Sequence, residues 1–185
     1  MKRTKGLVAG IMNIAASVLS TVVNFVMAYI LLLVATLISA ANEESSTPLT
    51  FGEKFSEIAI WVMLFLVCAM ILINIVSFVF AIVNLTYVNA AHEKFAKRKW
   101  AMIVSVVVNF CTVFACFVIV ALAVTSAIFG GTDMLFVGIP YMLGLIVFMI
   151  VNILYLLVLK SEKETIAKLN QQKQENSVED VDKSE

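Results

Sequence analysis

Six uncharged polar side chains lie within or beside the most apolar parts of this 185-residue sequence. They are Asn13, Asn84, Asn109, Asn152, Tyr87 and Tyr155. A carboxamide donates and accepts hydrogen bonds but does not titrate. We therefore expect this set to form an intramembrane polar cluster that works through hydrogen bonds. A path lined by these asparagines would lack a group for proton coupling.

The four asparagines each lie eight to ten residues from a basic cluster, which places them at a similar depth. Four carboxamides at one depth could form a ring, with Tyr87 and Tyr155 about one turn away. Two interpretations stay open. The ring could hold helices together, as polar side chains do in membranes, or it could line a route for a solute or an ion.

A second candidate site combines charge with an aromatic side chain in the loop after the second apolar stretch. Its members are Lys94, Lys97, Arg98, Lys99 and Trp100. Basic side chains are attracted to anionic headgroups, and an indole prefers the interface between headgroup and tail. The cluster is a candidate contact for anionic lipid, although its role in setting topology would also explain it.

The residue patterns of an enzyme are missing from the sequence. The apolar stretches contain no acidic pair and no other charged residue. Charged residues inside the membrane are the usual mark of pumps and ion-coupled carriers, so the sequence does not favour those classes. The single histidine, His92, cannot assemble a metal site from its neighbours. We expect a non-enzymatic protein with no cofactor, no metal and no nucleic-acid partner.

The elements that must position these residues are four stretches without a charged residue or histidine. They are Leu7 to Ala41, Ile58 to Ala91, Trp100 to Thr132 and Met134 to Leu159. Each exceeds the ~20 residues that a helix needs to cross a bilayer. With 62% hydrophobic residues, the sequence predicts an all-α integral membrane four-helix bundle.

The predicted transmembrane domain covers residues 1–159, with spans at about 7–41, 58–91, 100–129 and 136–159. Residues 160–185 form a cytoplasmic tail that begins as a helix and is disordered from Gln171 onward. Thr50 and Glu53 have the spacing of a capping box, which predicts an interfacial turn before the second span. Pro140 suits the first turn of the fourth helix.

The distribution of charge predicts the orientation of the bundle. Lysine and arginine precede the first stretch, fill the second loop and follow the fourth stretch, whereas the first and third loops are acidic. Because basic loops stay in the cytoplasm, both termini are predicted to be cytoplasmic. We expect a multi-pass protein of the plasma membrane.

Two features indicate a tandem duplication of one helical hairpin. The second and fourth stretches share an I-V-N-x-x-Y hexapeptide, at Ile82 to Tyr87 and Ile150 to Tyr155. The first and third stretches share a basic cluster followed by Asn13 or Asn109. Halves of this kind would be related by an axis along the membrane normal.

The opening Met1-Lys2-Arg3-Thr4, followed by four spans, resembles small uncharacterised membrane proteins of Gram-positive bacteria. The resemblance implies a bacterial plasma membrane and no known activity. Our leading hypothesis is a protein that acts by association, as an accessory subunit, an immunity or stress factor, or a membrane organiser. Its partners would be the bilayer, anionic headgroups of the inner leaflet, and another membrane protein or a second copy. The alternative is a facilitative pore or carrier for a small neutral or lipidic solute, lined by the asparagines.

Overall fold

The computed structural model describes residues 2–44, 50–87, 95–129 and 134–182, which form four long helices. They are α1 (Lys2–Glu44), α2 (Phe51–Tyr87), α3 (Phe95–Ile128) and α4 (Leu135–Asp182). Each contains a segment that is long and apolar enough to cross a membrane. The described residues include no strand. The prediction of an all-α membrane bundle is confirmed, and the chain is a multi-pass membrane protein.

Consecutive helices run antiparallel and pack side by side, and α1 also packs against α4. This seam between the first and last helices is less extensive than the packing of α1 on α2 or of α3 on α4. We call the end of the bundle with Gly6, Thr86 and Trp100 the basic end. The opposite end, with Asn42 and Thr50, is the acidic end.

The outer surface of the bundle is covered by large apolar side chains. One example from each helix is Phe25, which is 60% exposed, Phe65 at 72%, Phe114 at 69% and Leu143 at 62%. A water-soluble protein does not expose apolar surface on this scale. Threonines on the helices satisfy their hydroxyls locally, as Thr125 does by donating to the Ala121 carbonyl oxygen over 2.8 Å.

The interior contains two apolar clusters. Toward the acidic end, all four helices contribute buried residues, among them Leu31, Met63, Ile119 and Tyr141. Toward the basic end, α1, α3 and α4 meet around Phe148. Because lipid is as apolar as these side chains, their burial gives close packing without the hydrophobic gain available in water. Polar side chains must therefore contribute to holding the helices together.

The start of α2 has the predicted capping box. Glu53 Oε2 accepts hydrogen bonds from the Thr50 backbone N–H at 2.7 Å and from the Thr50 hydroxyl at 2.8 Å. The Glu53 backbone N–H donates to Thr50 Oγ1 at 3.4 Å. In place of a separate interfacial turn, α2 continues from Phe51 as one helix, because the box satisfies the first amides.

The start of α4 differs from the expectation for Pro140. The helix begins at Leu135, so Pro140 lies inside it, in the second turn. Proline there removes one backbone hydrogen bond, which is tolerated close to a helix start. The other end also extends further: α4 is helical to Asp182, past Gln171, where the sequence predicts disorder. Residues 161–175 are mostly Glu, Lys, Gln, Ala and Leu, which favour helix.

Gly52 marks a close approach between α2 and the end of α3. A Cβ atom at Gly52 would lie 2.7 Å from the Phe129 carbonyl oxygen. The aromatic ring of Phe129 packs on Phe51 and Phe55, with ring centroids 5.9 and 5.5 Å apart. This aromatic cluster joins α2 to α3 at the acidic end.

We expect Gly52→Ala to destabilise the bundle, because backbone must shift to make room for the methyl group. Overpacking of this kind costs about 1–3 kcal/mol. The better helix propensity of alanine offsets about 1 kcal/mol of that cost. The matched control is Gly138→Ala, whose Cβ would lie 3.5 Å from Ala123 Cβ, an ordinary contact. The check is thermal unfolding in detergent. Equal melting temperatures for the two variants would contradict the prediction.

Candidate functional site

Three side chains from three helices form a closed ring of hydrogen bonds, which we call the polar ring. Asn13 Nδ2 donates to Ser77 Oγ over 3.3 Å, and Ser77 Oγ donates to Asn109 Oδ1 over 2.8 Å. Asn109 Nδ2 then donates back to Asn13 Oδ1 over 3.0 Å. All three residues are fully buried. Each member donates once and accepts once around the ring, so the bonds reinforce one another.

The polar ring ties α1 to α3 across the bundle, as well as each of them to α2. Helices that sit diagonally are otherwise separated by the side chains of the core. The hydrogen bond between Asn13 and Asn109 therefore sets the distance between α1 and α3 at the depth of the polar ring. Mutual hydrogen bonds of this kind are a main source of helix association in lipid.

A further polar contact lies next to the ring on the side of the acidic end. Asn74 Nδ2 donates to Ser20 Oγ over 2.8 Å, linking α2 to α1 again. One turn further along α1, Asn24 is 1% exposed. Neither amide atom of Asn24 has a hydrogen-bond partner among the described residues. Such an unpaired polar group in an apolar interior is destabilising.

On the basic side of the ring, α4 contributes Tyr155. Its hydroxyl lies beside Asn84, Asn13 and Ser105, although no well-aligned hydrogen bond to that oxygen forms among the described residues. Asn152, one turn away on α4, is 4% exposed. The polar ring joins three helices directly. Tyr155 adds the fourth helix, α4, through its electrostatic contact with these polar side chains.

The structure buries five of the six residues of the candidate polar cluster. Asn13 and Asn109 belong to the polar ring, Asn84 lies beside Tyr155 on its basic side, and Asn152 is buried on α4 outside the ring. The side chain of Tyr87 lies outside the described residues. The ring itself differs from the one proposed from sequence, since Ser77 stands where Asn84 was expected.

Ser77 is not among the six residues named from the sequence. Counting residues from the basic loop gives the position of Asn84 along its own helix only. Which residue of α2 is level with Asn13 depends on how far α2 is shifted along α1, and the structure places Ser77, about two turns from Asn84, beside Asn13.

The candidate lipid contact is described only in part. Lys99 and Trp100 are exposed at the start of α3, and Trp100 is 68% exposed. The side chains of Lys97 and Arg98, and all of Lys94, lie outside the described residues. The two visible members have the exposure that contact with headgroups requires.

A cavity of about 780 Å³ opens at the acidic end, where α1, the start of α2, Phe129 and the start of α4 meet. Its inner part is apolar, with Met27, Leu31 and Val34 from α1 facing Val137 from α4. Its inner limit on α1 is Met27, which lies about 20 Å along the helix from Asn13. The cavity therefore does not reach the polar ring.

No protein-family model, curated protein or solved structure matches this chain. Within the part of the chain that the structure describes, no group of three or more His, Cys, Asp or Glu side chains is placed to hold a metal ion. The described residues offer four features for a functional proposal: the polar ring, exposed Lys99 and Trp100, the exposed apolar surface and the cavity at the acidic end.

Replacing Asn13 and Asn24 by leucine should have opposite effects on stability. Asn13→Leu breaks the polar ring, removes the bonds of Ser77 and Asn109 to α1 and leaves these two side chains with only the bond between them. This should lower the free energy of unfolding by about 1–2 kcal/mol. Asn24→Leu removes two unpaired amide atoms and should raise it by about 1 kcal/mol. Reversible unfolding in detergent would measure both, and a change of the same sign in the two variants would contradict this prediction.

Proposed function

We propose that this chain is a non-catalytic multi-pass protein of the plasma membrane that acts by association with other membrane components. Both termini are cytoplasmic in this proposal, so the basic end faces the inner leaflet. Exposed Lys99 and Trp100 would there contact anionic headgroups together with Lys94, Lys97 and Arg98. The partner is another membrane protein or a second copy of the chain.

The observation that carries the proposal is the closure of the polar ring. Its three side chains direct their hydrogen bonds at one another, and all three are shielded from the outside. Side chains that line a route for a solute would instead leave donors or acceptors for that solute. A ring that is satisfied internally supports a structural role, namely a stable scaffold that presents its outer surface to partners.

The alternative proposal is a facilitative pore or carrier for a small neutral or lipidic solute. One observation favours it: several buried polar atoms have no partner among the described residues, including both amide atoms of Asn24 and the Oδ1 atoms of Asn74 and Asn152. These atoms lie outside the polar ring. For a solute to pass, the ring would have to open and the route would have to extend from the cavity at Met27.

The orientation can be tested with two matched lysine substitutions. Lys54→Cys lies at the acidic end and Lys99→Cys at the basic end, and both native side chains are exposed. In sealed right-side-out vesicles, we expect a membrane-impermeant maleimide to label Lys54→Cys and to leave Lys99→Cys unlabelled. The unsubstituted chain reports any background from its own cysteines. Labelling of both variants from one side would contradict the proposed topology.

The two proposed functions differ in their prediction for transport. If the ring is structural, proteoliposomes of the unsubstituted chain should show background rates of glycerol entry and of fluorescent-lipid exchange between leaflets. Asn109→Leu should lower the melting temperature and leave both rates at background. Measurable flux in the unsubstituted chain, altered by Asn109→Leu without loss of stability, would instead support the pore or carrier.

A further inference from the structure

The cavity at the acidic end has the height of one lipid leaflet. On α1 its lining extends from Met27 to Asn42, which is about 22 Å of helix. One leaflet of a bilayer, with its headgroup region, is about 20–22 Å thick. A molecule lying along α1 in this cavity would therefore have its two ends at the depths that a membrane amphiphile occupies.

The lining of the cavity changes from apolar at its inner end to polar at its rim. The inner part is formed by Met27, Leu31 and Val34, without a polar side chain among them. The rim at the acidic end instead contains Asn42, Thr50 and Glu53. An apolar slot with a polar rim is complementary to one hydrocarbon chain that ends in a polar headgroup.

The charge at the rim selects the kind of headgroup. Glu53 is exposed, and the hydrogen bonds from Thr50 to its Oε2 stabilise the ionised carboxylate. Two charged neighbours on α2, Lys54 and Glu57, do not line the cavity. Glu53 is therefore the charged side chain among the described residues that line it, and its carboxylate favours a cation at the rim.

The volume of the cavity excludes a helix as its occupant. A helix about 10 Å across and 22 Å long occupies roughly 1,700 Å³, more than twice the 780 Å³ of the cavity. One small, elongated molecule fits this volume, which lies within the usual range for ligand sites of about 300–1,000 Å³. A transmembrane segment of a partner or a second copy does not.

We propose that the cavity binds a single-chain amphiphile with a cationic, hydrogen-bond-donating headgroup. Its hydrocarbon chain lies along α1 over the partly exposed Val34 and Ile38, with the buried Leu31 and Val137 at the floor of the cavity. Its ammonium group lies at Glu53. This site is separate from the polar ring, and the proposal does not depend on the proposed function.

The test uses the full chain in a neutral maltoside detergent and a dodecylammonium probe that carries a photoactivatable diazirine in its chain. We expect the probe to label residues between Met27 and Ile38 on α1, and to do so saturably. Leu31→Trp fills the slot and should reduce this labelling at least about tenfold. The matched control is Leu32→Trp, whose native side chain is 46% exposed on the outer surface and whose labelling should equal that of the unsubstituted chain.

A second variant tests the headgroup and keeps the fold. Glu53→Gln removes the charge, but glutamine also forms the capping box with Thr50. The dodecylammonium probe should bind this variant about two- to fivefold more weakly, as expected for loss of an exposed ion pair. A dodecanol probe with the same diazirine should bind both forms equally. Glu164→Gln, an exposed change near the other end of the protein, should affect neither probe.

Three results would overturn the proposal. Equal labelling of Leu31→Trp and Leu32→Trp would place the probe outside the slot. Labelling spread evenly over the exposed apolar surface would show ordinary solvation by detergent. Equal binding of the ammonium probe to Glu53→Gln and to the unsubstituted chain would show that the site does not select a cationic headgroup. If Leu31→Trp does not fold, as judged by helicity and melting, the proposal is tested by the binding of the two probes to Glu53→Gln and to the unsubstituted chain.

Discussion

The structure depends on the need to pair every polar group within a solvent that offers no hydrogen bonds. The helices satisfy this need for the backbone, since each amide bonds within its own segment. Side chains that cannot pair in this way must face one another. The polar ring of Asn13, Ser77 and Asn109 is the most complete result of this constraint, and it fixes which faces of α1, α2 and α3 point inward.

The positions of the other core residues follow from which faces of the helices point inward. Once the polar face of each helix points inward, small and flexible apolar residues fill much of the space on either side, such as Ala9 and Met102 toward the basic end and Met63 toward the acidic end. Tyr141, Phe148 and Tyr155 are the buried aromatic side chains of α4, whereas many other aromatic side chains face outward toward lipid. This division explains why most of the exposed surface is apolar while buried polar residues recur along the axis.

Much of this arrangement was predictable from sequence because it follows from local rules. The uncharged stretches predict four helices, the asparagines within them predict a polar cluster inside the membrane, and Thr50 with Glu53 predicts the capping box at the start of α2. The pairing within the ring was not predictable in the same way. It depends on how far each helix is shifted along its neighbour, and that shift places Ser77, rather than Asn84, beside Asn13. The cavity was also missed, because it lies where α1, the start of α2 and the start of α4 meet, and these segments are far apart in sequence.

The contact between Asn13 and Asn109 bears on the proposed tandem duplication. These residues occupy corresponding positions in the two halves of the sequence, and they meet near the centre of the bundle. An axis along the membrane normal would bring corresponding residues together in this manner. The duplication stays a prediction.

The seam between α1 and α4 has a consequence for biogenesis. The ribosome delivers α1 first and α4 last, and no loop connects these two helices. Their seam can therefore close only after the whole chain has entered the bilayer, when the other three neighbouring pairs can already have formed. The cleft along that seam would remain open to surrounding lipid throughout synthesis, so an occupant could enter sideways before the bundle is complete.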